Sequence, residues 1–175
     1  MKFVSMLFVG LCSIGMITFS NQPTTEERVT FRIKKGFSTI KGEFSQVDYC
    51  IALDQSGTGT IYGTVTISSV STGNATRDKH LQNQEWLDAA TYPKIRLQSR
   101  KIVKNKASKY TGTFEVTIKG KTEIQEIPFH ILQDGDVKTL KATFYLSTAT
   151  FGIGGGIVNL LVGDKVTVDI QLPFK

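Results

Sequence analysis

From about residue 29 onward, apolar and polar residues alternate with a period of two. In GTFEVTIKG, Phe114, Val116 and Ile118 share one face, and Thr113, Glu115, Thr117 and Lys119 the other. KVTVDIQL sets Val166, Val168, Ile170 and Leu172 against Lys165, Thr167, Asp169 and Gln171. VTFRI aligns Val29, Phe31 and Ile33, and FSTIKGEF continues the strand character. TIYGTVTI aligns Ile61, Gly63, Val65 and Ile67, and KIRL aligns Ile95 and Leu97. IPFHI and LKATFYL do the same for Ile127, Phe129 and Ile131, and for Leu140, Ala142, Phe144 and Leu146. The pattern predicts eight or nine strands, at 29–34, 37–48, 49–54, 59–69, 94–104, 109–119, 122–133, 137–149 and 165–174. Turn residues separate many of them: Gly57 with Gly59, Asn105, Gly120 and Asp134-Gly135-Asp136. Strands so spaced, without long helices between them, predict an antiparallel sandwich or barrel in one domain.

The inward face is heavy, with Phe31, Phe44, Phe114, Phe129 and Phe144 among many aliphatics. Such residues make a packed core. About eight strands closed into a barrel are also enough to surround one apolar ligand. The alternation alone is compatible with both.

One stretch breaks the period. In STGNATRDKHLQNQEWLDAATYPKIRLQS, residues 71–99, Asn74 or Thr76 can cap a short helix and Asn83 a second. Leu81 gives the first an apolar side; Trp86, Ala89 and Ala90 stand at helical spacing in the second. Tyr92-Pro93 ends the helical character. The expectation is a helical crossover near residues 75–90 laid over one end of the barrel. Arg77 and Asp78 fit two roles there, pinning the crossover or touching a ligand, with His80 and Trp86 alongside.

Composition adds limits. In MKFVSMLFVGLCSIGMITFS a basic start, a short apolar run and small exit residues match a secretory signal peptide, cleaved after Ser20. That leaves residues 21–175 as the mature domain, periplasmic or secreted. Removing Cys12 with the signal leaves Cys50 without an internal partner, and its strand context predicts a buried, inert thiol. The formal charge is +6, with Lys101, Lys104, Lys106 and Lys109 crowding one predicted hairpin. That cluster suits a solvated turn or an anionic membrane surface. Nucleic acid is excluded, because no basic helix or aromatic platform accompanies the charge.

Catalysis finds little to work with. The two histidines, His80 and His130, are far apart, and His130 falls on the outward face of IPFHI. No metal-ligand spacing and no nucleophile elbow is present. A hydrolase would need His80 beside a nucleophile brought by the fold. FGIGGGIVNLLVGD, residues 151–164, lacks the third glycine and the following helix of a dinucleotide loop. It reads as a mobile loop whose Ile153, Ile157, Val158, Leu160 and Leu161 border a cavity mouth or pack on the barrel end.

These segments together resemble the YceI-like family. SVSTGNATRDKHLQNQEWLDAATYPKIRLQS is similar to its strand ending in S-x-x-T-G, followed by R-D-x-H-L, an aromatic-containing short helix and Y-P. FRIKKGFSTIKGEF is similar to its opening strand, GTFEVTIKGKTEIQEIPF to its central hairpin, and FGI…VGDKVTVDIQL to its closing segment. The resemblance spans about residues 29–172. It implies an extended, eight-stranded, lipocalin-like barrel, usually periplasmic, holding a polyisoprenoid-type lipid and carrying no catalytic residues. The chain departs from the pattern in two places. Thr148 and Thr150 stand where the family often has Arg and Asp, and Lys35 stands where a histidine is common. Both bear on head-group recognition more than on holding a tail.

The resulting expectation is a non-enzymatic carrier with no cofactor and no metal. Its apolar tunnel would be formed by Phe31, Ile33, Phe44, Val65, Ile67, Leu97, Phe114, Val116, Phe129, Phe144 and Val168. Arg77, Asp78, His80 and Trp86 would stand at one end, near a head group. Burying about ten methylenes at about 0.8 kcal/mol each gives roughly 8 kcal/mol, enough for micromolar binding before costs. The alternative is an extracellular structural or interaction protein with a filled core. A transient membrane contact and a homodimer are the other partners left open.

Overall fold

The computed structural model describes residues 26–54, 56–154 and 162–175. The signal segment and residues 155–161 of the glycine-rich stretch lie outside the described residues. The elements are β1 (Arg28–Lys35), β2 (Ser38–Phe44), β3 (Val47–Leu53), β4 (Gly59–Thr66), β5 (Val70–Ser71), α1 (Ala75–Gln82), β6 (Lys94–Lys106), β7 (Lys109–Ile118), β8 (Lys121–Asp134), β9 (Val137–Ser147), α2 (Thr148–Phe151) and β10 (Val162–Phe174). The ten strands form a single curled antiparallel sheet in the order β3-β4-β6-β7-β8-β9-β10-β1-β2-β5.

Ten segments reduce to eight long strands. Only Ser45 and Gln46 separate β2 from β3, and only a 3-10 turn, Ile67–Ser69, separates β4 from β5. The ladder crosses both kinks: Ser45 N donates to Ser69 O at 3.3 Å, and Thr66 N to Gln46 O at 3.0 Å. β2 pairs with β1 and β3 with β4, so one kinked strand bridges the two edges of the sheet. This is what turns a curled sheet into a barrel-like enclosure. The break in the second strand thus falls at Ser45-Gln46, not after residue 48, and the long strand expected over 59–69 turns at Ile67. Ile67 is fully buried, its N–H donating to Pro93 O at 2.9 Å.

Tight hairpins set the register elsewhere. In the β7–β8 turn, Lys119 and Gly120 both have positive φ, 51° and 74°, as a two-residue hairpin of matching twist requires. Lys119 is held there by its Nζ, which donates to Gly152 O at 3.2 Å.

One part of the interior is more closely packed. Tyr110 stacks on Phe129 with centroids 5.2 Å apart, and Phe114 meets Phe129 edge-on at 6.2 Å. Ile127, Phe129, Phe114 and Val116 are buried around them. By contrast Phe31, Ile33, Phe44, Ile95, Leu146, Val166 and Val168 are inward by parity yet only half-buried. This difference between the β7–β9 wall and the β10–β1–β2 wall locates the hollow part of the barrel.

Two expectations are corrected here. Cys50 is exposed, because Tyr49 and Ile51 take the inward positions of β3 and leave it on the outer face. Tyr49 is fixed inward by its hydroxyl, which donates to Pro173 O at 2.6 Å. The second helix of the crossover does not form. Residues 84–87 are turns, with Leu87 N donating to Leu81 O at 3.1 Å and Asp88 at a φ of 50°. Leu87, not Ala90, is the buried residue of that segment, while Trp86 and Ala89 pack partly buried against the core. His130 is exposed on the outer face, where the alternation put it.

Candidate functional site

The segment after β5 owes its shape to side chains reaching back to the backbone. Asn74 caps α1, its Oδ1 accepting from Arg77 N at 2.9 Å. Thr72 lies between the next two charged residues. Its hydroxyl donates to Asp78 Oδ1 at 2.5 Å and accepts from Arg77 Nε at 2.7 Å. Asp78 Oδ1 also accepts from Thr72 N at 2.9 Å, and Arg77 Nη2 donates to Thr72 O at 2.8 Å. The Arg-Asp pair therefore clamps the entrance to the crossover. Asp78→Ala is expected to cost about 2 kcal/mol, for charge-assisted bonds lost and Thr72 left partly unpaired. Chemical denaturation measures the loss.

Beneath this crossover lies a chamber of about 810 Å³, within the range of small-molecule sites. Its walls come from β1, β2, β6, β7, β9 and β10 and its roof from the crossover and α2. Apolar side chains such as Ile33, Ile40, Leu81, Leu146, Phe151 and Val166 make the walls. Of the polar contributors, Lys35, Asn74, Thr76, His80, Asn83 and Glu85 are exposed at the mouth, Arg77 and Ser147 are half-buried, and the buried Thr148 has its hydroxyl bonded to Asp164. A narrower cavity of about 120 Å³ runs deeper into the barrel, toward Phe114, Phe129 and Leu140. Phe31, Phe44, Ile95, Ile118, Leu146 and Val168 line both, and so form the throat between them.

The residues singled out by alternation fall on these walls with one exception. Phe31, Phe44 and Val168 stand at the throat, and Ile33 in the chamber. Val65, Leu97, Phe114, Val116, Phe129 and Phe144 line the deep cavity. Ile67 lines neither, because the 3-10 turn carries it into solid core. At the mouth, Arg77, His80 and Trp86 border the chamber, whereas Asp78 turns to Thr72 and is absent from its lining. Ile118, Leu146 and Val166 also line the chamber, on the same parity as Val116, Phe144 and Val168 two positions along, so the alternation extended by one step finds them. Leu87, Phe151 and Ile153 have no such signal, since their positions depend on turns. Ile153 lines the chamber and is buried in the core cluster, so it meets both readings of its place, at the cavity and packed on the barrel end.

The departure at Thr148 and Thr150 has a local explanation. Thr148 is buried on the chamber wall, and its hydroxyl donates to Asp164 Oδ1 at 3.0 Å. Ala149 N donates to the same oxygen at 2.8 Å, and the Ser147 hydroxyl lies 2.9 Å from both carboxylate oxygens. Thr150 is exposed. Asp164 thus ties the start of α2 to β10. The Ala149 N–H, and then the hydroxyl of Ser147, hold its carboxyl below the usual carboxylate value. The folded-state value is depressed, so this stabilisation is present above the unfolded value of about 3.9 and is lost as pH falls through the lower folded one. Asp164→Asn is expected to lower stability at neutral pH and to make the acid limb of a stability-against-pH curve shallower, as read by thermal unfolding between neutral and strongly acidic buffers.

Among the described residues, no group of three or more His, Cys, Asp or Glu side chains is placed to hold a metal ion. No described helix is long and apolar enough to cross a membrane.

Known proteins share this arrangement. A UPF0312 protein of Pectobacterium atrosepticum is 32% identical over 111 residues, 62% of this chain and 57% of that protein, so the match spans little more than half of that relative. The crystal structure of BcnA from Burkholderia cenocepacia superposes with a TM-score of 0.81 at 24% identity, covering 85% of this chain and 96% of that one. A polyisoprenoid binding domain from Saccharophagus degradans, implicated in plant cell wall breakdown, has a TM-score of 0.70 at 13% identity, covering 86% and 94%. At these identities the two structures speak for the fold. The profile of the YceI-like domain matches residues 21–174, nearly the whole chain. With its bridged, curled antiparallel sheet and crossover-capped chamber, the chain belongs to the YceI-like domain family.

Proposed function

We propose that this protein is a secreted or periplasmic carrier that holds one long-chain apolar lipid, of polyisoprenoid or isoprenoid-quinone type, in the chamber and its deep extension. The observation that carries this reading is the division of the cavity. Most of its polar groups stand at the mouth, and its walls and depth are predominantly apolar, which suits a ligand with a polar end and a long tail. Family membership and the neighbouring polyisoprenoid binding domain support the ligand class. The tail gains most of its free energy from burial, at about 0.8 kcal/mol per methylene, and needs continuous apolar wall more than polar recognition. A head group would meet Arg77, His80 and Trp86. An interaction protein with a filled barrel would have no use for a largely apolar chamber of about 810 Å³.

The test is organic extraction of the purified native protein followed by mass spectrometry. A long-chain isoprenoid lipid in near-stoichiometric amount is the expected result. Repeated extraction without any lipid, together with failure to take up a supplied polyprenol or quinone, would sink the reading.

A further inference from the structure

We propose that the β1–β2 hairpin docks the mouth of the chamber onto an anionic lipid bilayer. The turn is two residues long, Gly36 and Phe37, between the paired Lys35 and Ser38. Gly36, with a φ of 55°, takes the first turn position and leaves Phe37 at the tip. Phe37 is fully exposed, and the other large exposed apolar residues lie on strand faces or, for Tyr92, beside β6. A phenyl ring at a projecting tip costs free energy in water and gains it on entering the acyl boundary of a bilayer.

The surroundings carry the matching charge. Lys34 and Lys35 are exposed beside the tip and Lys41 a little further along β2, opposite Arg32, and none of these lysines is in an ion pair among the described residues. The nearest acid on the adjoining strand, Asp164, is already held by Ser147, Thr148 and Ala149. Arg32, further along β1, is paired with Asp169 at 2.9 Å. An apolar tip on a lysine-bearing hairpin fits a bilayer with anionic head groups.

Position settles which basic hairpin faces the lipid. Lys35, Ile33 and Ile40 line the chamber, so the hairpin forms part of its rim. The denser lysine cluster of Lys101, Lys104, Lys106 and Lys109 sits at the β6–β7 turn, the opposite end of those strands from Ile95 and Ile118, which line the chamber. The cluster most visible in the sequence therefore points away from the mouth. This inference rests on the carrier reading, because a lipid passing between bilayer and chamber would cross this rim.

Flotation with vesicles tests it, using phosphatidylcholine alone and phosphatidylcholine mixed with phosphatidylglycerol. The protein is expected to float with the mixed vesicles, to bind the neutral ones much less, and to lose binding as salt rises. Lys34→Gln with Lys41→Gln should weaken binding about fivefold per lysine. Phe37→Ser should weaken it about tenfold. None of these three side chains lines the chamber, and Lys101→Gln with Lys106→Gln at the far end should change little. Uptake of a polyprenol delivered from detergent should be normal in every variant. Binding of Phe37→Ser or of the Lys34/Lys41 variant at wild-type strength overturns the docking proposal and leaves the carrier reading standing. Vesicle binding without any polyprenol uptake sinks the carrier reading instead.

Discussion

Val168→Trp is expected to lower affinity for a long-chain lipid about 100-fold while sparing a short one. Val168 is on β10, with its side chain at the throat where the chamber meets the deep cavity. An indole there closes the passage. If roughly four methylenes lose their place in the deep cavity, about 3 kcal/mol is lost, which is a factor of about 100. A chain short enough to end in the wide chamber keeps its contacts. The comparison of short and long chains matters, because overpacking can itself cost about 1–3 kcal/mol of stability. A misfolded variant would lose both ligands; a blocked throat loses only the long one. Equal affinity of the variant and the parent for a long polyprenol would show that the deep cavity takes no part in binding.

Phe129→Ala should give the largest loss of stability in the molecule, about 3–5 kcal/mol. Phe129 is 1% exposed and is the centre of the filled part of the barrel, stacked on Tyr110 and edge-on to Phe114. Its removal strips contacts from two other aromatic rings and leaves a void that the surrounding strands cannot close. A fall in Tm on the order of 10 °C is expected. The void also adjoins the deep cavity, which Phe129 lines. The variant, if kept folded at low temperature, should therefore accept a longer chain than the parent protein. A small stability change would mean that the aromatic cluster is more loosely packed than its geometry indicates.

These expectations involve residues that the alternation exposed unequally. Phe31, Phe114, Phe129, Phe144 and Val168 can be read as inward from period two alone, because a regular strand sends every second side chain to the same face. At Cys50 the strand-like context misled where the rule itself would not have. The strand-like run VDYCIAL suggested burial, but parity counted from Tyr49 and Ile51 puts the thiol outside. At Ile67 the rule still finds a buried residue, but a 3-10 turn interrupts the strand and sets the side chain in packed core rather than on a cavity wall. In the crossover, Asn74 as a helix cap was legible, since capping is a local hydrogen bond. The burial of Leu87 was not, because it follows from turns whose course depends on contacts with the barrel end.

Arg77 and Asp78 show where local reading stops. Their types and spacing suit both a clamp and a contact with ligand. Only the position of Thr72 separates the roles, engaging both residues and taking Asp78 out of the chamber lining.

By itself, the sequence determined the antiparallel strands, the inward set, the short helix over one end and the family. All of these depend on interactions between residues close along the chain or on a repeating geometry that a linear pattern preserves. Whether the interior is filled or hollow was decided by the tertiary structure. It depends on how far apart facing walls stand, and that distance follows from sheet curvature and from the kinked strand bridging the sheet's edges. The same applies to the two basic hairpins. Composition lists their lysines alike, but only the fold sets one at the mouth of the chamber and the other at the far end.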